Sequence, residues 1–193
     1  MPMPLLIGSC EPFSGKSALV LGLARQLSQR GIHLRFGKPL ATILDPEAGT
    51  ALLDADVQFI GATLGLSQEQ LIPSLQQLAP ATAEARLLAA DLEAGQAFAA
   101  FQAQLQAAPA TEQVLLEAAG SLSEGLLYGL SLPQLARSLG AAVVLVHLWH
   151  DSRSVDALLQ ARDLLGDHLA GVVLNAVDPE AVPSLEATVV PAL

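Results

Sequence analysis

The sequence predicts an α/β fold: a doubly wound, mainly parallel sheet with helices on both faces, in a single domain over residues 1–193. Three observations predict it. Short apolar runs alternate with segments of helical spacing, the order that a parallel sheet with crossover helices requires. Residues 141–147, AAVVLVH, are apolar on both strand faces, as a strand between two helix layers must be. Residues able to do chemistry gather just after the apolar runs, where such sheets bind ligands.

Taken in order, the first strand is expected at residues 5–7 and the first helix from Ser17 to Arg30, stopped by Gly31. A second strand at residues 34–38 ends at Pro39, which has no N–H for a sheet ladder. Residues 40–53 read as a loop, with Asp45-Pro46 and Gly49 as breakers. A helix follows from Asp54 to Gly65, and Ser67 with Gln70 resembles a capping box opening a shorter helix that ends before Pro80. Residues 82–107 are rich in Ala, Gln and Glu and predict helix, interrupted at Gly95. Then come a strand at 113–118, a helix opened by Ser131 and Pro133, the strand at 141–147, a helix at 152–165, a fifth strand at 171–174, and a last helical stretch from Pro179 to Thr188.

Composition excludes several classes. The chain is 52% hydrophobic and 4% aromatic, which suits a packed helix-and-sheet domain and not a disordered one. A net charge of −10 argues against nucleic acid as a partner, since phosphate binding needs clustered Lys and Arg. Cys10 is the sole cysteine, so no intramolecular disulfide forms, and no Cys/His metal pattern occurs. The apolar run before Cys10 is too short for a lipoprotein signal, and none reaches the roughly 18 residues of a membrane span. A cytoplasmic protein with no membrane partner is expected.

The chemistry centres on Gly8-Ser9-Cys10-Glu11-Pro12-Phe13-Ser14-Gly15-Lys16-Ser17. Strand, glycine-flanked loop, Gly-Lys-Ser and helix is the order of a phosphate-binding loop, although six residues separate Gly8 from Gly15 where the strict pattern has four. Backbone N–H groups of Glu11, Phe13, Ser14, Gly15, Lys16, Ser17 and Ala18 would surround phosphate oxygens, aided by the helix dipole. Lys16 would reach the terminal phosphates and the Ser17 hydroxyl would be a ligand of Mg²⁺. Pro12 is expected with them among the nucleotide-binding residues of the loop. A nucleotide with Mg²⁺ is therefore the expected ligand pair.

Other strand ends offer partners. Glu117 closes an apolar run and could hold Mg²⁺, or be a solvated strand-end carboxylate. Asp56 could be a second metal ligand, or a carboxylate favoured by its helix dipole. Lys38, with Lys16 the only other lysine, could act catalytically on phosphate or substrate carboxylate charge in a transition state, or be a strand-end lysine with no role. His147, Trp149 and His150 cluster at one strand end. A metal role for them needs a third ligand, so capping of the sheet edge is the simpler reading. Arg153 could meet phosphate or solvent.

Together these features resemble the dethiobiotin-synthetase-like branch of P-loop proteins. The resemblance rests on the lengthened loop 8–17, Lys38-Pro39, Asp56, Glu117-Ala118-Ala119-Gly120 and Asn175-Ala176-Val177. It implies that Asn175 reads the adenine edge; unaided, Asn175 is equally a turn residue. It also implies an ATP-dependent ligase that uses Lys16, Lys38 and Mg²⁺ to transfer phosphate to a carbamate. The stretch 40–44 departs from the synthetase, and Ala118 stands where Gly is usual. The wording GSCEPFSGKSALVLGLA, GKPLAT and LSLPQLARSLGAAVVLV is more similar to the N-terminal domain of bacterial phosphotransacetylase-family proteins, where the module precedes a DRTGG domain. That resemblance implies a regulatory or sensor module with weak or no ATPase activity, and further domains in a longer protein. A ParA-like partitioning ATPase is disfavoured because the loop lacks an early lysine. One helical stretch after the fifth strand leaves a sheet edge open, so a homodimer or larger oligomer is expected.

Overall fold

In the computed structural model, which describes residues 3–41, 54–77, 80–90 and 95–193, a six-stranded sheet carries the molecule. Its order is β4-β2-β6-β1-β7-β8, with β1 Leu5–Ser9, β2 His33–Gly37, β4 Leu71–Ile72, β6 Glu112–Glu117, β7 Ala142–Leu148 and β8 Leu169–Asn175. Every adjacent pair runs parallel. Two short strands, β3 Leu40–Ala41 and β5 Gln76–Gln77, pair separately. The helices are α1 Lys16–Gln29, α2 Ala55–Leu64, α3 Pro80–Leu88, α4 Gly95–Gln106, α5 Leu132–Leu139, α6 Arg153–Leu165 and α7 Val182–Thr188.

The pleat sorts neighbouring residues into two cores. Ile7, Leu34, Phe36, Leu115 and Val146 face α1 and α2, meeting Val20, Ala24, Val57 and Ile60. Leu6, Val114, Leu116, Val143 and Leu145 face the other way, against Phe101, Leu105, Leu135, Leu158 and Ala161 of α4, α5 and α6. Leu6 and Ile7 are adjacent in sequence and belong to opposite cores, the period-two signature of a strand covered on both faces. The expected layers are therefore present.

The segment after Ser67 differs from its expectation. Ser67 and Gln70 do form a capping box, but it opens only a single 3₁₀ turn, Gln68–Gln70, which feeds β4. Strand pairing explains the outcome: Leu71 and Ile72 stand opposite Phe36 and Gly37, extending the sheet by one strand beyond the five expected. Ile72 packs so close to Gly37 that a side chain there would lie 2.6 Å from its Cβ. The helical run 82–107 divides into α3 and α4, with Gly95 as the first residue of the second. The expected breakers at 45, 46 and 49 and the stretch 42–44 lie outside the described residues. Among the described residues, no helix is long and apolar enough to cross a membrane.

Parallel register brings the strand ends together. Ser9 stands opposite Val146, Ile7 opposite Glu117, Gly37 opposite Leu116 and Leu148 opposite Asn175. The loops after β1, β2, β6, β7 and β8 thus leave one edge of the sheet side by side. β1 lies between β6 and β7, so its loop emerges at the centre of that edge.

Candidate active site

The loop between β1 and α1 opens a cleft of about 460 Å³, lined by residues 12–18 together with Lys38, Asp56, Glu117, residues 118–120 and Glu124. Gly15 precedes α1 with φ of 97°, a left-handed conformation that a side chain would strain. A Cβ at this glycine would also run into the Asn175 amide. Phe13 at the loop tip has φ of 60° and is 98% exposed.

Lys16 is only 7% exposed and donates to Ser9 Oγ at 2.9 Å. Ser9 Oγ in turn lies 2.8 Å from the Glu11 carbonyl and 3.0 Å from the Gly120 carbonyl. Burial pushes the Lys16 ammonium below the ordinary lysine range, while the nearby Glu117 charge opposes that shift. Ser17 Oγ donates to Glu117 Oε1 at 3.0 Å. Glu117 is 2% exposed, and its Oε2 is a buried oxygen with no hydrogen-bond partner. Burial raises the Glu117 carboxyl above its usual range, against the pull of Lys38 and the Ser17 hydroxyl.

Lys38 sits just beyond β2. Its Nζ is 2.8 Å from Asp56 Oδ2 and 3.3 Å from Asp54 Oδ2. Burial acts to lower the Lys38 ammonium, but the hydrogen bond it donates to Asp56 and the charges of Asp54, Asp56 and Glu117 outweigh it and hold it high. Asp54 is also the N-cap of α2, accepting the Asp56 N–H at 2.8 Å.

The residues predicted for the site are brought together with two distinctions. Residues 12–18, Lys38, Asp56 and Glu117 line the cleft. Glu11 instead directs its carboxylate to His150 Nε2 at 3.0 Å, with His147 Nδ1 at 3.8 Å. Asn175 reaches the loop from β8: its Nδ2 donates to the Ser14 carbonyl at 2.9 Å, and its Oδ1 accepts the Ala176 N–H at 2.9 Å. Arg153 is drawn off to Asp151, 2.7 Å away at the exposed start of α6. Cys10 is half-buried, and burial with the Glu11 charge pushes its thiol up to about 11, so it is a poor nucleophile.

Three participants were not anticipated. Ser9 receives Lys16, Asp54 shares Lys38, and Glu124 Oε2 accepts the Gly120 N–H at 2.7 Å while lining the cleft. Only Asp54 carried a sequence signal, as an Asp directly before a helical run. The donor set suits a hard cation: Ser17 Oγ, Glu117 and Asp56 all offer oxygen, and Glu117 Oε2 has no hydrogen-bond partner. Mg²⁺ needs few protein oxygens, because phosphates and water complete its shell.

A family model described as AAA domain matches residues 4–190. The chain is similar to the ATP-dependent dethiobiotin synthetase BioD of Pseudomonas aeruginosa, 35% identical over 171 residues that cover 86% of this chain and 73% of the synthetase. Among solved structures it is similar to chloroplast FtsY from Physcomitrella patens, with a TM-score of 0.53 at 16% identity. That match covers 98% of this chain and 55% of the FtsY chain. The kinase domain of the Escherichia coli tyrosine kinase ETK gives a TM-score of 0.50 at 16% identity, covering 91% of this chain and 68% of its own. At such identities the structural likeness bears on the fold alone, a parallel α/β sheet of the P-loop NTPase kind.

Proposed function

The chain belongs to the AAA domain family as a dethiobiotin-synthetase-like P-loop domain, and we propose that it binds ATP with Mg²⁺ in the cleft at the end of β1. The observation that carries this reading is the placement of Lys16, Ser17 and Glu117: a buried ammonium under the loop, a helix-first-turn hydroxyl, and a buried carboxylate touching that hydroxyl. Loop N–H groups and the α1 dipole would hold the phosphates, and Lys16 would leave Ser9 for the terminal ones. Ser17, Glu117 and Asp56 would hold the metal, which, when bound, neutralises charge between the terminal phosphates. Lys38 borders the same cleft, where a cation can stabilise a transferring phosphoryl group.

Two outcomes for the bound nucleotide follow. The similarity to ATP-dependent dethiobiotin synthetase, with both lysines and both carboxylates in the cleft, favours an ATP-dependent carbamate ligase. The wording of the loop and of residues 130–146 favours a regulatory module of phosphotransacetylase type, with little or no turnover. Purified protein given ATP, Mg²⁺, CO₂ and diaminopelargonate separates them. Dethiobiotin formed at enzymatic rates establishes the ligase; nucleotide binding without product supports the regulatory module.

A further inference from the structure

Two lysines face this cleft, and they are held differently. Lys16 is turned inward onto a neutral hydroxyl, Ser9 Oγ. Lys38 is held by carboxylates, Asp56 at 2.8 Å and Asp54 at 3.3 Å, and the Lys38 charge also acts on Glu117. Asp56 and Glu117 are two of the three oxygen donors that fit Mg²⁺. Among the described residues, no three His, Cys, Asp or Glu side chains form a group that could hold a metal ion. Glu117 Oε2 nevertheless remains buried and without a hydrogen bond. The cleft thus has a buried carboxylate oxygen without a hydrogen-bond partner and a lysine bonded to a neighbouring donor.

We propose that Lys38 is the resident counter-cation of the carboxylates at this metal site, so that a divalent cation enters only when nucleotide phosphate draws the Lys38 ammonium off Asp56. The proposal rests on the nucleotide reading above. Its physics is an exchange of partners. An ammonium and a divalent cation compete for one set of carboxylates, and bringing both together without an anion between them is repulsive. Phosphate oxygens supply that anion. Lys38 then pairs with phosphate, Asp56 is released toward the metal, and Glu117 gains the partner it lacks. Nucleotide and metal bind with positive coupling, and each raises the affinity of the other by the same factor. The nucleotide-free protein is kept from filling its carboxylates with a stray divalent ion.

The test is Mn²⁺ binding to the full chain without nucleotide, read by electron paramagnetic resonance. Wild type and Lys38→Arg are expected to bind weakly. Lys38→Met is expected to bind roughly tenfold more tightly or better, because a competing unit charge a few ångströms away is gone. Adding Glu117→Gln to Lys38→Met should remove the gained site. Lys38→Gln serves the same comparison should the methionine variant lose its fold by circular dichroism. Wild type binding Mn²⁺ as tightly as Lys38→Met overturns the proposal, as does a gained site that survives Glu117→Gln. ATP affinity in EDTA is measured on the same proteins. ATP binding with no gained Mn²⁺ site overturns the role of Lys38 and leaves the nucleotide reading standing; a gained Mn²⁺ site without ATP binding overturns the nucleotide reading, and with it the exchange, leaving Lys38 only as a counter-cation.

Discussion

Ser17 Oγ donates a 3.0 Å hydrogen bond to Glu117 Oε1 across one hundred positions of sequence, joining the first turn of α1 to the end of β6. The second Glu117 oxygen is buried and has no such partner. This pair is where a metal-dependent part of nucleotide binding would reside, because one hydroxyl and one carboxylate are what Mg²⁺ takes from a protein when phosphates supply the rest.

Glu117→Gln is therefore expected to leave ATP affinity in EDTA unchanged while removing the increase that Mg²⁺ confers. The amide keeps the shape and a hydrogen-bond acceptor for Ser17 but lacks the charge a hard cation needs. Calorimetry with and without Mg²⁺ checks this. Magnesium dependence that survives the substitution would make Glu117 a purely structural residue.

The same carboxyl predicts a pH effect on stability. Burial raises the folded Glu117 above its ordinary value of 4.5. Between 4.5 and the raised value the folded chain holds a proton that the unfolded chain has released, so this contribution to stability falls as pH rises through the window. In EDTA, Glu117→Gln should flatten that fall and melt higher than wild type above the window. A parallel pH profile for the two proteins would contradict the assignment.

Asn175 is expected to act as a strap on the loop. Both ends of its amide are engaged, one on the Ser14 carbonyl and one on the Ala176 N–H. Asn175→Ala should cost about 1 kcal/mol of stability, the scale of one net hydrogen bond, and weaken ATP and GTP alike. A loss confined to ATP would instead mean that Asn175 reads the adenine edge.

How far the sequence foretold this arrangement differs from element to element. The strands at 5–7 and 141–147 and the turn into Gly-Lys-Ser are local signals, and the structure places them as expected, with ends shifted by a residue or two. Glu117 was visible because a carboxylate closing an apolar strand has little reason to be there without a partner. β4 and β5 are two residues each, too short to show any period, and exist only through pairing with β2 and β3. The Asp54–Lys38 ion pair and the Glu124–Gly120 hydrogen bond were hidden for a related reason: both are set by how the chain packs after β2 and β6, and no spacing encodes them. Glu11 is placed at the nucleotide by its loop position, through its backbone N–H; the pairing of its carboxylate with His150, two residues beyond β7, is a long-range contact that no spacing encodes.

The central claim is that Lys16 meets the phosphates of ATP. Its buried ammonium has only the Ser9 hydroxyl as hydrogen-bond partner within the loop, a contact that a phosphate can replace. Removing one partner of a buried charged pair costs on the order of 2–5 kcal/mol. Isothermal titration of ATP with Mg²⁺ into wild type and Lys16→Ala is the direct measurement, with circular dichroism confirming that both are folded. Saturable binding to wild type and no detectable heat with Lys16→Ala is the predicted result. Equal affinity in the two proteins, or no binding to wild type, would contradict it.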